Sequence, residues 1–207
     1  MDMERWLAFA LAATIILIIP GPTIILVVGR ALSHGKRAVM PLVVGVTLGD
    51  FTGMVLSLLG LGAILAASAT LFTVFKWAGA LYLFYLGLKT WQSDPTQPFA
   101  QQPLQGTNPA LLRSAYLVTA LNPKSIAFFV AFLPQFINPA RPHLPQFLIL
   151  GATFLLLGAL NASVYALFAS QLVEQMQRVT VRRWFNRFGG TALVGAGLLT
   201  ATMERSR

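Results

Sequence analysis

The chain has 207 residues, 56% of them hydrophobic and only 10% charged, with a mean hydropathy of +0.70. A soluble domain carries about 25% charged residues, so this chain has too little polar surface to coat a globule in water, and one membrane domain spanning 1–207 is expected. The net charge of +9 sits at the ends of apolar runs, a positive-inside pattern and not a nucleic-acid surface, and the absence of cysteine excludes disulfides, cysteine-based zinc sites and thiol catalysis.

The N-terminus, MDMERW, carries two acids and one Arg before the first apolar run. A signal peptide has a basic leading region and a small-residue cleavage site, so this run is expected to be retained. A bilayer-spanning helix needs about 20 apolar residues. Six segments qualify: 6–29, 38–65, 69–91, 112–137, 145–170 and 185–203. The expected fold is therefore all-α and polytopic. The second and third segments are divided only by small residues near Ala66–Ala69, and the sixth is short enough to suit an interfacial helix.

The first segment contains IIPGPTIIL at 18–26. Pro20, Gly21 and Pro22 interrupt its most apolar stretch, and one internal Pro already costs a helix about 3 kcal/mol. A half-helix starting at Pro22 leaves its first N–H groups, including that of Thr23, unpaired and suited to a carboxylate. The carbonyls freed before Pro20 suit an ammonium or a cation. A plain proline kink, satisfied by neighbouring helices, is the structural alternative. The following GRALSHGKR lacks the spacing and the hydroxyl residue of a phosphate loop.

The second segment carries Gly45, Gly49 and Gly53 at a spacing of four, a small-residue stripe for close helix packing. Between the last two lies Asp50, the only acid inside any apolar segment. It is about twelve residues from the segment's start, roughly 18 Å along the axis, near the middle of the membrane. A carboxylate there costs about 2.5–3.5 kcal/mol on insertion scales. It can exchange a proton, meet an ammonium, or form a permanent ion pair with Lys124 or Lys76. Lys76, in the third segment, lies near the outer face, where snorkelling accounts for it equally well.

Residues 92–110 are rich in Gln and Pro with one charge, a flexible linker dividing the chain into repeat one (1–91) and repeat two (111–207). The fourth segment is interrupted by Asn122 and Pro123, with Lys124 directly after. Lys124 can pair with Asp50, bind a substrate carboxylate, alternate between them, or snorkel outward. The loops after the odd-numbered segments hold Arg30, Lys36, Arg37, Lys89, Arg113, Arg178, Arg182, Arg183 and Arg187; the even ones hold only Arg141. Odd loops are therefore expected in the cytoplasm and both termini outside. The stretch Arg178–Arg187, with Trp184 and Phe185, reads as an anchor to anionic membrane lipid.

The two halves resemble each other. Phe75, Gly79, Leu83, Gly87 and Leu88 align with Phe185, Gly189, Leu193, Gly197 and Leu198; Gly45 and Thr47 align with Gly151 and Thr153, and Pro22 with Pro123. Three helices per repeat force the second copy to insert upside down. In such inverted repeats, a matched pair of interrupted segments points to the binding site. Pro20-Gly21-Pro22 and Asn122-Pro123 are that pair. His34 and His143 have no metal-ligand partner at suitable spacing, no nucleophile motif occurs, and neither an enzyme nor a cofactor is expected.

Taken together, PGPTIILVVGRALSHGKRAVMPLVVGVTLGD, FKWAGALYLFYLGLKTW, LNPKSIAFFVAFLPQF and RRWFNRFGG resemble the LysE-type amino-acid exporter superfamily, closest to its homoserine/threonine-resistance (RhtB) branch. The resemblance runs over nearly the whole chain except the linker. It implies export of amino acids from the bacterial cytoplasm across the inner membrane by proton antiport, with Pro20-Gly21-Pro22, Gly49-Asp50 and Asn122-Pro123-Lys124 at signature positions. The Asn-Pro-Lys form resembles the neutral-amino-acid branch. Many relatives carry an acid and a Trp where this chain has Leu157 and Asn161, ahead of the Tyr that Tyr165 resembles. The expected site residues are thus Pro20, Gly21, Pro22, Thr23, Asp50, Asn122, Pro123 and Lys124, with Asp50 as proton carrier. The expected partners are a small amino acid, protons and lipid, and a homo-oligomer is compatible with the chain. Export of a cation or amine, or a membrane scaffold without transport, are the rival readings.

Overall fold

A computed structural model describes residues 1–67, 69–94, 107–138, 140–176 and 178–202. The middle of the linker, Arg205, Arg207 and the side chain of Lys76 lie outside this description. The described residues are helical throughout, with no strand among them. The elements are α1 (Met3–Ile18), α2 (Pro22–His34), α3 (Val39–Ala67), α4 (Ala69–Trp91), α5 (Asn108–Ala120), α6 (Pro123–Ala127), α7 (His143–Leu167), α8 (Ala169–Met176) and α9 (Val179–Thr202). A π-turn at Phe128–Phe132 and a 3₁₀ turn at Leu133–Phe136 continue α6.

Both proline signals interrupt the backbone. Helix α1 ends at Ile18, and α2 restarts with Pro22 as its first residue behind an extended Gly21. Proline suits that first position because the missing N–H would have no helical partner there. Helix α6 likewise starts at Pro123, and the pair Asn108–Ala120 and Pro123–Phe136 is bent by 40°. Among the described residues, two runs are long and apolar enough to cross a bilayer, Pro22–Gly60 and His143–Leu167, and the bent pair makes a third if it is one crossing. The first run is divided at Gly35, whose φ of 63° turns the chain in a region open to glycine. The architecture is that of a polytopic membrane protein. Leu56, Leu59, Leu148, Leu156 and Leu160 are between 63% and 71% exposed, which in water would be costly and in hydrocarbon is not.

Several boundaries differ from expectation: the first segment runs on to His34 and the fourth begins at Asn108, so Arg30 and Arg113 stand in helix and not in loops. The fifth segment ends at Leu167 and is followed by the separate short α8. Helix α9 begins at Val179, so Arg182, Arg183 and Arg187 stand in helix and not in a loop. Hydropathy ends a segment where charges begin, but arginine is a good helix former and the helix runs on past the apolar stretch.

Helices α3 and α5 pack closely, as do α4 and α9, while α7 packs against α1, α2 and α3. A Cβ at Gly45 would lie 2.5 Å from the Leu112 carbonyl oxygen, and one at Gly49 would lie 2.7 Å from the Thr119 Cβ, whereas at Gly53 the nearest atom is 3.4 Å away. The first two glycines therefore let the α3 and α5 backbones approach to a distance that any side chain would prevent. On the other flank, a Cβ at Gly87 would meet the Gly190 carbonyl and Val194, and one at Gly197 would meet the Ala80 carbonyl and Phe84. Late residues of α4 thus touch early residues of α9 and the reverse, so the two helices run antiparallel.

The buried apolar residues form two clusters. One holds Phe9, Ala13, Ile16, Ile19, Met54, Phe128, Phe129, Phe132, Leu150 and Phe154. The other holds Ile24, Val27, Val28, Leu42, Val46, Leu111, Ala115, Ala162 and Tyr165. Along the α1–α2 chain, along α3, along α5–α6 and along α7, one cluster gives way to the other at the same level. Both helix breaks, Asp50 and Gly158 lie at that level, between the cores.

Candidate functional site

A cavity of about 20 Å³ opens at this waist, lined by Leu17, Thr23, Ile24, Val46, Asp50, Asn122, Lys124, Ser125, Gly158, Asn161 and Ala162. That is room for about one water molecule, so no amino acid fits without movement. The polar groups stand too close together to admit a substrate between them.

Ending α1 at Ile18 and Ile19 creates an accounting problem. The last intrahelical bond runs from the Ile19 N–H to the Ile15 carbonyl. The next four carbonyls, those of Ile16, Leu17, Ile18 and Ile19, would need the N–H groups of residues 20–23. Pro20 and Pro22 have none, and the extended Gly21 carries the chain away. Buried carbonyls must find other partners. Here all four do, and every donor is a side chain from the second half of the molecule. The Lys124 ammonium donates to Ile16 O and to Ile19 O, each at 2.8 Å. The Asn161 amide donates to Leu17 O at 3.1 Å, and the Tyr165 hydroxyl donates to Ile18 O at 2.8 Å. The positive charge of Lys124 also lies at the negative end of the α1 dipole.

The second break is satisfied differently. The Asn122 N–H donates to the Thr119 carbonyl at 3.0 Å, and the Asn122 side-chain oxygen accepts from the Lys124 backbone N–H at 3.1 Å, capping α6. The Asn122 amide then donates to the Thr23 hydroxyl at 3.1 Å, and Thr119 donates to the same oxygen at 3.2 Å. Thr23 on the first turn of α2 is thereby tied to both sides of the second break.

Asp50 is 3% exposed and lines the cavity with Lys124 and Ser125 nearby. Its carboxylate has the Ser125 hydroxyl as a hydrogen-bond partner, and among the described residues it makes no ion pair within 4 Å. The permanent pair with Lys124 entertained from the sequence is therefore absent, because the ammonium is held by α1. Opposite the carboxylate stands Gly158, where a Cβ would lie 3.2 Å from Asp50 Oδ2. Helix α7 leaves that side open. Gly21 lies along the Lys124 side chain, with a hypothetical Cβ 3.4 Å from Nζ.

The structure thus brings together Pro20, Gly21, Pro22, Thr23, Asp50, Asn122, Pro123 and Lys124, with Gly49 next to Asp50 in the α3–α5 contact. Pro20, Pro22 and Pro123 act through the backbone they interrupt. Reasoning from sequence missed Ser125 and Gly158 and gave Tyr165 no contact. A signal existed: Gly158, Asn161 and Tyr165 recur at three- and four-residue spacing and so share one face of an otherwise apolar helix.

The arrangement can hold a cation or a proton at Asp50 and offers the first turn of α2, which has no side-chain cap, to an anion. The model of the LysE type translocator family matches residues 14–204. An uncharacterized membrane protein of Vibrio cholerae is 37% identical over 204 residues, covering 99% of this chain and 100% of its own length. A homoserine/homoserine lactone efflux protein of Salmonella typhimurium is 31% identical over 209 residues, covering 100% of both. An uncharacterized membrane protein of Bacillus subtilis is 30% identical over 207 residues, covering 96% of this chain and 99% of its own. No solved structure matches the chain.

Proposed function

Because this chain belongs to the LysE type translocator family, we propose that it is a secondary exporter in the bacterial inner membrane, moving small neutral amino acids of the homoserine, threonine and leucine type out of the cytoplasm in exchange for protons. The observation that carries this reading is the buried Asp50 carboxylate, in no ion pair among the described residues, on the wall of a small cavity between two interrupted helices. A substrate ammonium and a proton compete for that one carboxylate. Occupancy by one excludes the other, and exchange follows. The substrate carboxylate lies toward the uncapped first turn of α2, near Thr23 and Asn122, with the charge of Lys124 beside it. Leu17, Ile24, Val46 and Ala162 supply an apolar wall that suits an uncharged side chain.

Alternating access requires two halves that rock about the site. This reading takes six crossings, for which the candidates are α1 with α2, α3, α4, α5 with α6, α7, and α9. The α4–α9 contact supports their inverted relation. Under the alignment of the halves, the Gly87 contacts with Gly190 and Val194 map onto the Gly197 contacts with Ala80 and Phe84. A twofold axis in the membrane plane requires such exchange between antiparallel partners. The 3.1 Å ion pair of Arg141 with Asp2 puts the fourth loop beside the N-terminus, and the 3.0 Å bond from Asn186 to the Ser93 carbonyl joins the end of α4 to the start of α9. Both fit basic odd loops in the cytoplasm and both termini outside.

One observation favours the broader class of amines. The cation nearest the cavity, Lys124, already serves two carbonyls, so an ammonium is the group that the site recognises best. The Salmonella relative is named for both homoserine and its lactone, and a lactone keeps the ammonium but has no free carboxylate.

The test is efflux from proteoliposomes loaded with radiolabelled amino acids and homoserine lactone under an imposed pH gradient, wild type beside Asp50→Asn. Gradient-driven efflux of one or a few compounds, lost in the variant, is expected. Efflux that survives the substitution removes Asp50 from coupling. Folded wild type without efflux of any compound removes the exporter reading.

A further inference from the structure

We propose that the C-terminal end of α1 is a cation site whose resident is the tethered ammonium of Lys124, and that this ammonium holds the first break together instead of gripping the substrate carboxylate. The argument is geometric. Two main-chain carbonyls, those of Ile16 and Ile19, converge on one nitrogen at 2.8 Å each. The two carbonyls between them are taken by Asn161 and Tyr165, so the lysine faces the only pair left. All four point at the negative end of a helix dipole, where a cation is favoured. In interrupted-helix transporters, freed carbonyls of this kind coordinate a coupling ion. Here a side chain of the opposite half fills that role. Gly21 lies against Lys124 Nζ, Cε and Cδ, so the channel for the side chain is built as well as its end point.

The chemistry separates this role from a direct carboxylate ligand. Lys124→Ala removes three carbons and the ammonium, which together make n-propylammonium. That ion should refill the channel and donate to both carbonyls. Tetramethylammonium has the same charge but no N–H, and should not. The assay is thermal unfolding of purified Lys124→Ala and wild type in the two salts at equal ionic strength. A ligand that binds only the native state raises its melting temperature saturably. The expected result is such a rise with propylammonium in the variant alone. If the variant does not survive purification, recovery of folded protein when propylammonium is present throughout is the equivalent result. Equal effects of both ions, or neither a rise nor a recovery with propylammonium, overturn the proposal.

The transport arm rests on the export reading; the melting arm does not, so their failures are distinguishable. In proteoliposomes, Lys124→Ala should lose export of homoserine and of its lactone alike, by about tenfold or more given two orphaned carbonyls, and propylammonium should restore both. A loss confined to homoserine, which alone carries a carboxylate, would instead make Lys124 a ligand for the substrate and sink the inference.

Discussion

The two interrupted helices correspond in the alignment of the halves, yet they solve the same backbone problem in opposite ways. At the second break, one residue does most of the work. Asn122 closes the end of α5 through its N–H and caps α6 through its side chain, so the bend is stable within its own half. At the first break, nothing local serves. Pro20 and Pro22 remove two donors, Gly21 is extended, and four carbonyls are completed only by Lys124, Asn161 and Tyr165 from the other half. The difference teaches where motion between halves must be felt. Under the proposed rocking of one half against the other, the second break can stay intact, whereas the donors at the first must be carried along or released.

The largest expected effect comes from stripping the first break of its outside donors. Asn161→Ala with Tyr165→Phe orphans the carbonyls of Leu17 and Ile18. Polar bonds between membrane helices average about 0.6 kcal/mol, while an unpaired buried acceptor costs about 1–3 kcal/mol. A combined loss of about 2–4 kcal/mol is expected in reversible denaturation, with less than additive effects because the two donors share one helix turn. A loss below about 0.5 kcal/mol would mean that the carbonyls find other partners and that the contrast between the breaks is superficial. Asn122→Ala acts on the second break and should cost about 1–2 kcal/mol, the range for removing a helix N-cap. It also leaves the Thr23 hydroxyl with one fewer donor. Measured against a Thr23→Val background, most of the cap term should remain and the coupling should be small.

Much of this was legible in the residue string. The two proline signals, the lone acid of the apolar segments and the lysine after the second break fall where the backbone breaks and the cavity opens. Gly45 and Gly49 could be read as a packing stripe because small residues at a spacing of four have few other uses in an apolar helix. What the sequence withheld was the identity of acceptors. Every residue carries the same carbonyl, so nothing in the spelling says which ones Lys124 reaches; that depends on how α6 docks against α1. Gly158 was hidden for a related reason. Its importance is the absence of a side chain opposite Asp50, and an absence carries no pattern until the facing residue is known. Helix α8 was missed because ASQLVEQM is too short and too polar to register as an apolar segment, so most of it fell in the expected loop.

The smallest effect sharpens the comparison most. Pro20→Ala restores an N–H four residues after Ile16, the spacing of a helical bond. In the wild-type chain that donor is redundant, because Lys124 already serves the Ile16 carbonyl, and the substitution should be neutral or destabilise by under about 1 kcal/mol. In a Lys124→Ala background the same carbonyl is orphaned. There, Pro20→Ala should stabilise by about 0.5–1.5 kcal/mol, the net worth of one hydrogen bond. The sign of the proline substitution therefore depends on a lysine more than a hundred residues away. Pro123→Ala should show no such reversal, because the Asn122 cap is complete without Lys124's side chain. Equal signs in both backgrounds at Pro20 would show that the proline acts only through backbone stiffness, and that the donors from the second half do not replace the bonds it removes.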